Sequence, residues 1–227
     1  MCVIVAKFGG SSINDSVKLD LACSTISSFV SDANKVVAVV SAIRGVTDLL
    51  KDTIDRITKD NFDICISQCT ERLRALHSYA LLSTDDLSYL ERLFFYFVES
   101  DKKKWVEDQI LVMGEEFSSR IFTSKLNEYG IDTDLINFND PKFPTTVHGY
   151  FGNSRIDLSK TKDMCVGLVS DLENYSCICI PGFGGIDRDS GRVKNIEKLP
   201  CESVKDWRRD FSSIGPKTKA STKGASS

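Results

Sequence analysis

Three stretches constrain this chain more than anything else in it: "CVIVAKF" from Cys2, "KVVAVVSA" from Lys35 and "YSCICIPGF" from Tyr175. Each is a nearly continuous apolar run rich in β-branched residues or cysteine, and each gives way to small residues. A strand with one wet face alternates apolar and polar side chains, whereas a strand covered on both faces does not. Continuous runs therefore point to a parallel sheet between helical layers. Helical spacing fills the intervals. Asp15 is placed to cap a helix in which Val17, Leu21, Ala22, Ile26, Phe29 and Val30 recur at that spacing. A second helix follows Gly45 and carries Leu49, Leu50 and Ile54. The stretches Ile64 to Leu81, Thr84 to Phe97 and Trp105 to Tyr129 each place apolar residues three and four apart. "YGIDTDLINF" reads as a C-cap glycine followed by a strand, "PKFPT" as a rigid loop and "IDRDSGRV" as a hairpin turn. The expected class is α/β, a three-layer αβα sandwich on a mostly parallel sheet.

Composition narrows the function classes. The 227 residues are 41% hydrophobic and 27% charged, with a formal net charge of −3, which is a globular composition with no bias toward nucleic acid or an anionic membrane. No run is long and apolar enough to cross a bilayer, and no basic segment followed by an apolar signal core opens the chain, so the expected location is cytoplasmic. Eight cysteines occur without a CxxC, and only His77 and His148 could complete a metal site. Reduced, mostly buried thiols are expected, and no bound metal. After about Lys194 the character changes. Residues 201–227 carry six Lys or Arg against three Asp or Glu, so that segment is +3 and the remainder −6. The expected division is a folded domain over residues 1–200 and a polar, disordered tail over 201–227.

Three segments carry candidate chemistry. In "VAKFGGSSIN", Lys7 stands where a strand ends, ahead of a turn built from Gly9, Gly10 and Ser11. Such a turn lets backbone N–H groups approach a phosphate closely while lysine adds positive charge; an ordinary strand-to-helix turn is the alternative. In "VVSAIRGVTDLL" the second strand again ends in small residues at a helix start, and in an open parallel sheet such neighbouring ends share the ligand edge. In "MGEEFSS", Gly114 and Glu115 fall inside an apolar helical stretch, where a carboxylate is costly unless paired. Neither GxxxxGK[ST] nor GxGxxG occurs.

Taken together, these segments resemble the aspartate kinases of the amino acid kinase family. "KFGGSS" is similar to that family's opening lysine and glycine motif, "SAIRGVTD" to its second segment, "GEEFSS" to its Gly-Glu motif and "PGFGG" to its strand end, over roughly Val3 to Val193. The resemblance implies transfer of a phosphoryl group from ATP, with Mg2+, to the side-chain carboxylate of L-aspartate, giving 4-phospho-L-aspartate at the entry to lysine, threonine and methionine biosynthesis. It implies that Lys7 neutralises the transferring group and that Lys7, Gly9, Gly10 and Ser11 hold the ATP phosphates. It implies that Glu115 pairs with the substrate ammonium, and that Thr47 and Ser41 lie against bound aspartate. It implies as partners a homo-oligomer or a full-length kinase subunit. The residues themselves leave plainer readings open: a helix N-cap for Thr47, an exposed helix carboxylate for Glu115, turn chemistry for Ser41 and a bare turn for "PGFGG".

The chain departs from the family's pattern after its hairpin. Where the family carries GRGGSD, with an arginine for the substrate carboxylate and an aspartate near the phosphates, this chain reads "VKNIEKLPCES". The nucleotide-binding half and the regulatory domains that follow in the family are not matched either. The resemblance thus covers the amino-acid-binding half, and a catalytically inactive module that binds aspartate or a partner stands as the alternative to an active kinase.

Overall fold

The computed structural model describes residues 2–196. The expected domain boundary at residue 200 and the tail beyond it lie outside the described residues.

Strands β1 (Val3–Phe8), β2 (Lys35–Val40), β6 (Cys177–Pro181) and β3 (Thr133–Leu135) form a sheet in the order β1-β2-β6-β3, and every pairing is parallel. The three apolar runs are thus three adjacent strands. Their register brings the C-terminal ends level: Phe8 lies opposite Val40, and Val40 opposite Pro181. Crossovers are helical, as parallel pairing demands. Helix α1 (Ser16–Ser31) links β1 to β2. Between β2 and β3 come α2 (Val46–Arg56), α3 (Phe62–Leu76), α4 (Thr84–Glu99) and the long α5 (Lys104–Glu128). The larger core lies on one face of the sheet, where Phe8, Val36, Ala38, Val40, Cys177 and Cys179 meet the helices. On the other face Val37, Ile178 and Ile180 pack with Leu168 of α6 (Leu158–Asp171) and with Phe138 and Phe143. The expected layered α/β architecture is therefore what the chain adopts.

Local chemistry explains most boundaries. Asp15 caps α1 by accepting the Lys18 amide at 2.9 Å. At the end of α5, Gly130 has φ +75; its amide reaches the Asn127 carbonyl and the Ile131 amide reaches that of Leu126, the paired closure of a Schellman turn. The "IDRDSGRV" hairpin joins β7 (Gly184–Asp187) to β8 (Arg192–Asn195), with Gly191 at φ +66.

Several expectations needed correction. β1 is not buried throughout: Val5 is 69% exposed and Lys7 is exposed, because β1 is the outermost strand of the described sheet and the second-face core gathers around β6. In α1, Val17 and Leu21 face solvent, while Leu19, Ala22, Cys23 and Ile26 are buried. Val17 and Leu21 are each two residues from Leu19, which at about 100° per residue is the far side of the helix. Helix α3 stops at Leu76 rather than Leu81. There the buried His77 turns the chain, the Ala80 amide bonds the His77 carbonyl, and Tyr79 Oη reaches the Ile13 carbonyl at 2.6 Å. The hairpin of β4 (Val147–Tyr150) and β5 (Asn153–Ile156), and helix α6, were not anticipated. Of α6 only Leu168 is buried, so the helix has no apolar stripe to read. The seven described cysteines are free thiols, and Cys23, Cys65, Cys69, Cys177 and Cys179 are buried. Among the described residues no helix is long and apolar enough to cross a membrane.

Candidate active site

The level strand ends carry the candidate residues, and backbone hydrogen bonds lace the loops between them. The Ser41 amide donates to the Phe8 carbonyl at 3.0 Å, the Arg44 amide to the Gly10 carbonyl at 3.3 Å, and the Gly182 amide to the Val40 carbonyl at 3.0 Å. The turn after β1 is closed by the Ser12 amide on the Gly9 carbonyl at 2.8 Å. Gly10 is required by this arrangement: a Cβ there would collide with the Ala42 carbonyl oxygen and stand 2.8 Å from the Arg44 nitrogen. Gly9 has no atom within 4 Å of the corresponding Cβ position, so the turn is uncrowded on that side. Ser11 is exposed in that turn, and Lys7 projects from the uncovered side of β1.

Helix α5 supports the second loop from beneath. Glu115 is buried, 3% exposed, and its Oε1 accepts the Ala42 amide at 3.3 Å. One turn later the Ser118 hydroxyl accepts the Ile43 amide at 3.1 Å while donating to the Gly114 carbonyl at 2.9 Å. Gly114 makes this approach feasible, since a Cβ there would lie 2.9 Å from that of Ala42 and 3.1 Å from Val46. The reading of Glu115 as an exposed helix carboxylate is therefore excluded. So is Thr47 as an N-cap: α2 begins at Val46 with Gly45 in the cap position at φ +90, and Thr47 is half-buried in the first turn. That turn opens at the sheet's C-terminal edge, where the positive end of the helix dipole favours an anion.

The glycine turn, the Ser41–Gly45 loop and Glu115 are thus joined by hydrogen bonds, while Lys7 and Thr47 share the edge without a bond to the others among the described residues. Ser118 escaped the sequence reading, although it sits three residues after Glu115 in the same quoted "GEEFSS" and hence on the same helix face. Gly182 and Gly184 of "PGFGG" are packed tightly, Gly182 against Val39 and Val40 and Gly184 against Phe138 and Val112. β8 is committed elsewhere. Lys194 is 6% exposed, paired with Asp187 and donating to the Gly149 carbonyl at 2.7 Å; Asn195 is bound through its amide and side chain to the buried Asp108, at 3.2 and 2.9 Å.

Comparison with solved structures gives the same architecture. Escherichia coli aspartokinase III bound to aspartate and ADP superposes with a TM-score of 0.68 at 19% identity, over 87% of this chain and 44% of that one. The same enzyme with lysine and aspartate gives 0.68 at 21% identity, with the same coverage. Clostridium acetobutylicum aspartate kinase gives 0.56 at 22% identity, over 86% of this chain and 41% of that one. The chain therefore spans less than half the length of these structures, and at such identities the likeness is one of fold. No curated protein sequence matches. The profile of the amino acid kinase family matches residues 3–198, nearly the whole described region. The chain belongs to the amino acid kinase family.

Proposed function

We propose that the chain is aspartate kinase-like: a side-chain carboxylate oxygen of L-aspartate attacks the γ-phosphorus of MgATP, the bond to the bridging oxygen breaks, and ADP leaves with 4-phospho-L-aspartate formed. The observation that carries this reading is the buried Glu115 beneath a loop that is itself laced to the Gly9–Gly10 turn. It supplies one anion for a substrate ammonium beside a backbone surface suited to phosphate. A carboxylate with a pKa of roughly 4 is already ionised at neutral pH and needs no general base. What must be overcome is repulsion between two anions, which positioning and charge neutralisation accomplish. Lys7 is the cation this reading assigns to the transferring phosphoryl group, with Thr47 and Ser41 as hydroxyls for the substrate. Mg2+ enters with the nucleotide: among the described residues no group of three or more His, Cys, Asp or Glu is arranged to hold a metal.

A second reading, aspartate binding without transfer, draws on β8. Lys194 and Asn195 are spent on Asp187, Gly149 and Asp108, and the Arg192 guanidinium lies over the Trp105 ring at 4.3 Å, so the cations of this strand are engaged within the chain. Both readings place aspartate on Glu115, and isothermal titration tests that. Wild type should bind L-aspartate, and Glu115→Gln, which keeps an acceptor for the Ala42 amide but loses the charge, should weaken it about tenfold or more. Equal binding by the variant would remove Glu115 from the site.

A further inference from the structure

A second cavity, of about 280 Å³, opens between α4 and α5 beside the loop that follows β3. None of Lys7, Ser41, Thr47 or Glu115 lines it. Its apolar wall is made by Val112, Phe138 and Val193. Its polar wall holds Asp85, Asp86 and Glu116 against Arg92 and Arg120, so carboxylates outnumber guanidinium groups by one.

Glu116 dominates this site. It follows Glu115 in the chain but points about 100° further round α5, and it is 4% exposed. Its Oε1 accepts the Phe138 amide at 3.0 Å, which fixes the side chain. Its Oε2 has Arg120 Nη2 at 3.5 Å, and the same arginine reaches Asp86 through Nε at 3.4 Å. Charge-assisted N–H···O bonds close to about 2.7–2.9 Å. One guanidinium is therefore stretched between two carboxylates and in full contact with neither. Burial pushes both carboxyl groups above their ordinary pKa, the sign of anions whose charge is incompletely answered. Arg92 does not repair this, as it is exposed and lies over the Tyr89 ring at 5.8 Å. A pocket with an apolar wall, a few converging polar groups and perturbed carboxyls has the chemistry of a small-molecule site.

We propose that the α4–α5 cavity binds a small organic cation, a primary ammonium on a short apolar body, with the ammonium sharing Glu116 and Asp86 with the Arg120 guanidinium and the body against Phe138, Val112 and Val193. This site is separate from the phosphoryl-transfer reading and stands whether or not that reading holds.

The probe is n-butylammonium, titrated into the full chain and followed through the Phe138 amide resonance, with butyrate and 1-butanol as the anionic and neutral controls. Saturable binding of butylammonium alone is the expected result. Glu116→Gln preserves the acceptor for Phe138 and should weaken binding about tenfold or more. Asp86→Asn should weaken it in the same direction, and circular dichroism would show both variants folded. Butyrate binding in place of butylammonium, no saturation with the cation, or unchanged affinity in Glu116→Gln would each overturn the proposal.

Discussion

Glu115 and Ser118, one turn apart on α5, accept the consecutive amides of Ala42 and Ile43. A single helix face thus fixes the loop that carries Ser41 and leads into Thr47. Ile43 is 2% exposed, so its N–H has no recourse to water if the acceptor is removed. Ser118→Ala should therefore destabilise the chain by about 1–3 kcal/mol, the cost of a buried donor left unmet. Urea unfolding measures it, and hydrogen exchange at the Ile43 amide should quicken in the variant. Unchanged exchange there would mean that the hydroxyl does not hold the loop.

The two glycines after β1 should respond differently to the same substitution. Gly10→Ala drives a methyl group into the Ala42 carbonyl and the Arg44 nitrogen, both backbone atoms that cannot swing aside. A loss of about 1–3 kcal/mol is expected, with the two loops forced apart. Gly9→Ala meets nothing within 4 Å and should stay within about 0.5 kcal/mol of wild type. Thermal or urea unfolding of the pair reads the contrast, and equal losses would contradict the close approach at Gly10.

Much of the scaffold was legible because β2 and β6 are covered on both faces and α2 buries a single apolar face. "KVVAVVSA" and "YSCICIPGF" announce central parallel strands, and Leu49, Leu50 and Ile54 all prove buried in α2. The errors have a common physical source. Val5, Val17 and Leu21 are apolar yet exposed, at the outermost strand and on the outer side of its helix, and apolar identity alone does not reveal which face is covered. Helix α6 was invisible because one buried leucine makes no periodicity. At the site, Lys7 and the glycine turn stood out by residue type and Glu115 by its apolar helical setting, whereas Ser41 and Thr47 were marked only by the family resemblance. Ser118 and Glu116 did not, since their importance rests on a loop amide and a cavity that only tertiary packing supplies.

His77 gives a pH signature. It is 1% exposed; its Nδ1–H donates to the Leu73 carbonyl at 2.8 Å, and its ring stands edge-on to Phe117. Burial lowers its pKa below the ordinary 6.5 by disfavouring the charged ring. Between that lowered value and 6.5 the unfolded chain binds more protons than the folded one, so stability falls as pH drops through this window and is fully present above it. The slope is at most about 1.4 kcal/mol per pH unit for one proton. His77→Gln cannot titrate, and the wild-type-minus-variant difference in urea midpoints should shrink as pH falls below about 6.5. A pH-independent difference would show that His77 is not buried as the neutral ring.

The central claim is that the edge formed by Lys7, the Gly9–Gly10 turn and the α5-supported loop transfers a phosphoryl group to aspartate. A coupled assay of ADP release from MgATP, run with and without L-aspartate on wild type and Lys7→Ala, tests it most directly. Lys7 is exposed and no ion pair depends on it among the described residues, so its loss should leave the fold intact. ADP release that requires aspartate and drops about 10²–10³-fold in Lys7→Ala is the predicted result, the scale of losing one preorganised electrostatic partner. Aspartate binding with no aspartate-dependent ADP release, or near-normal turnover in Lys7→Ala, would contradict it.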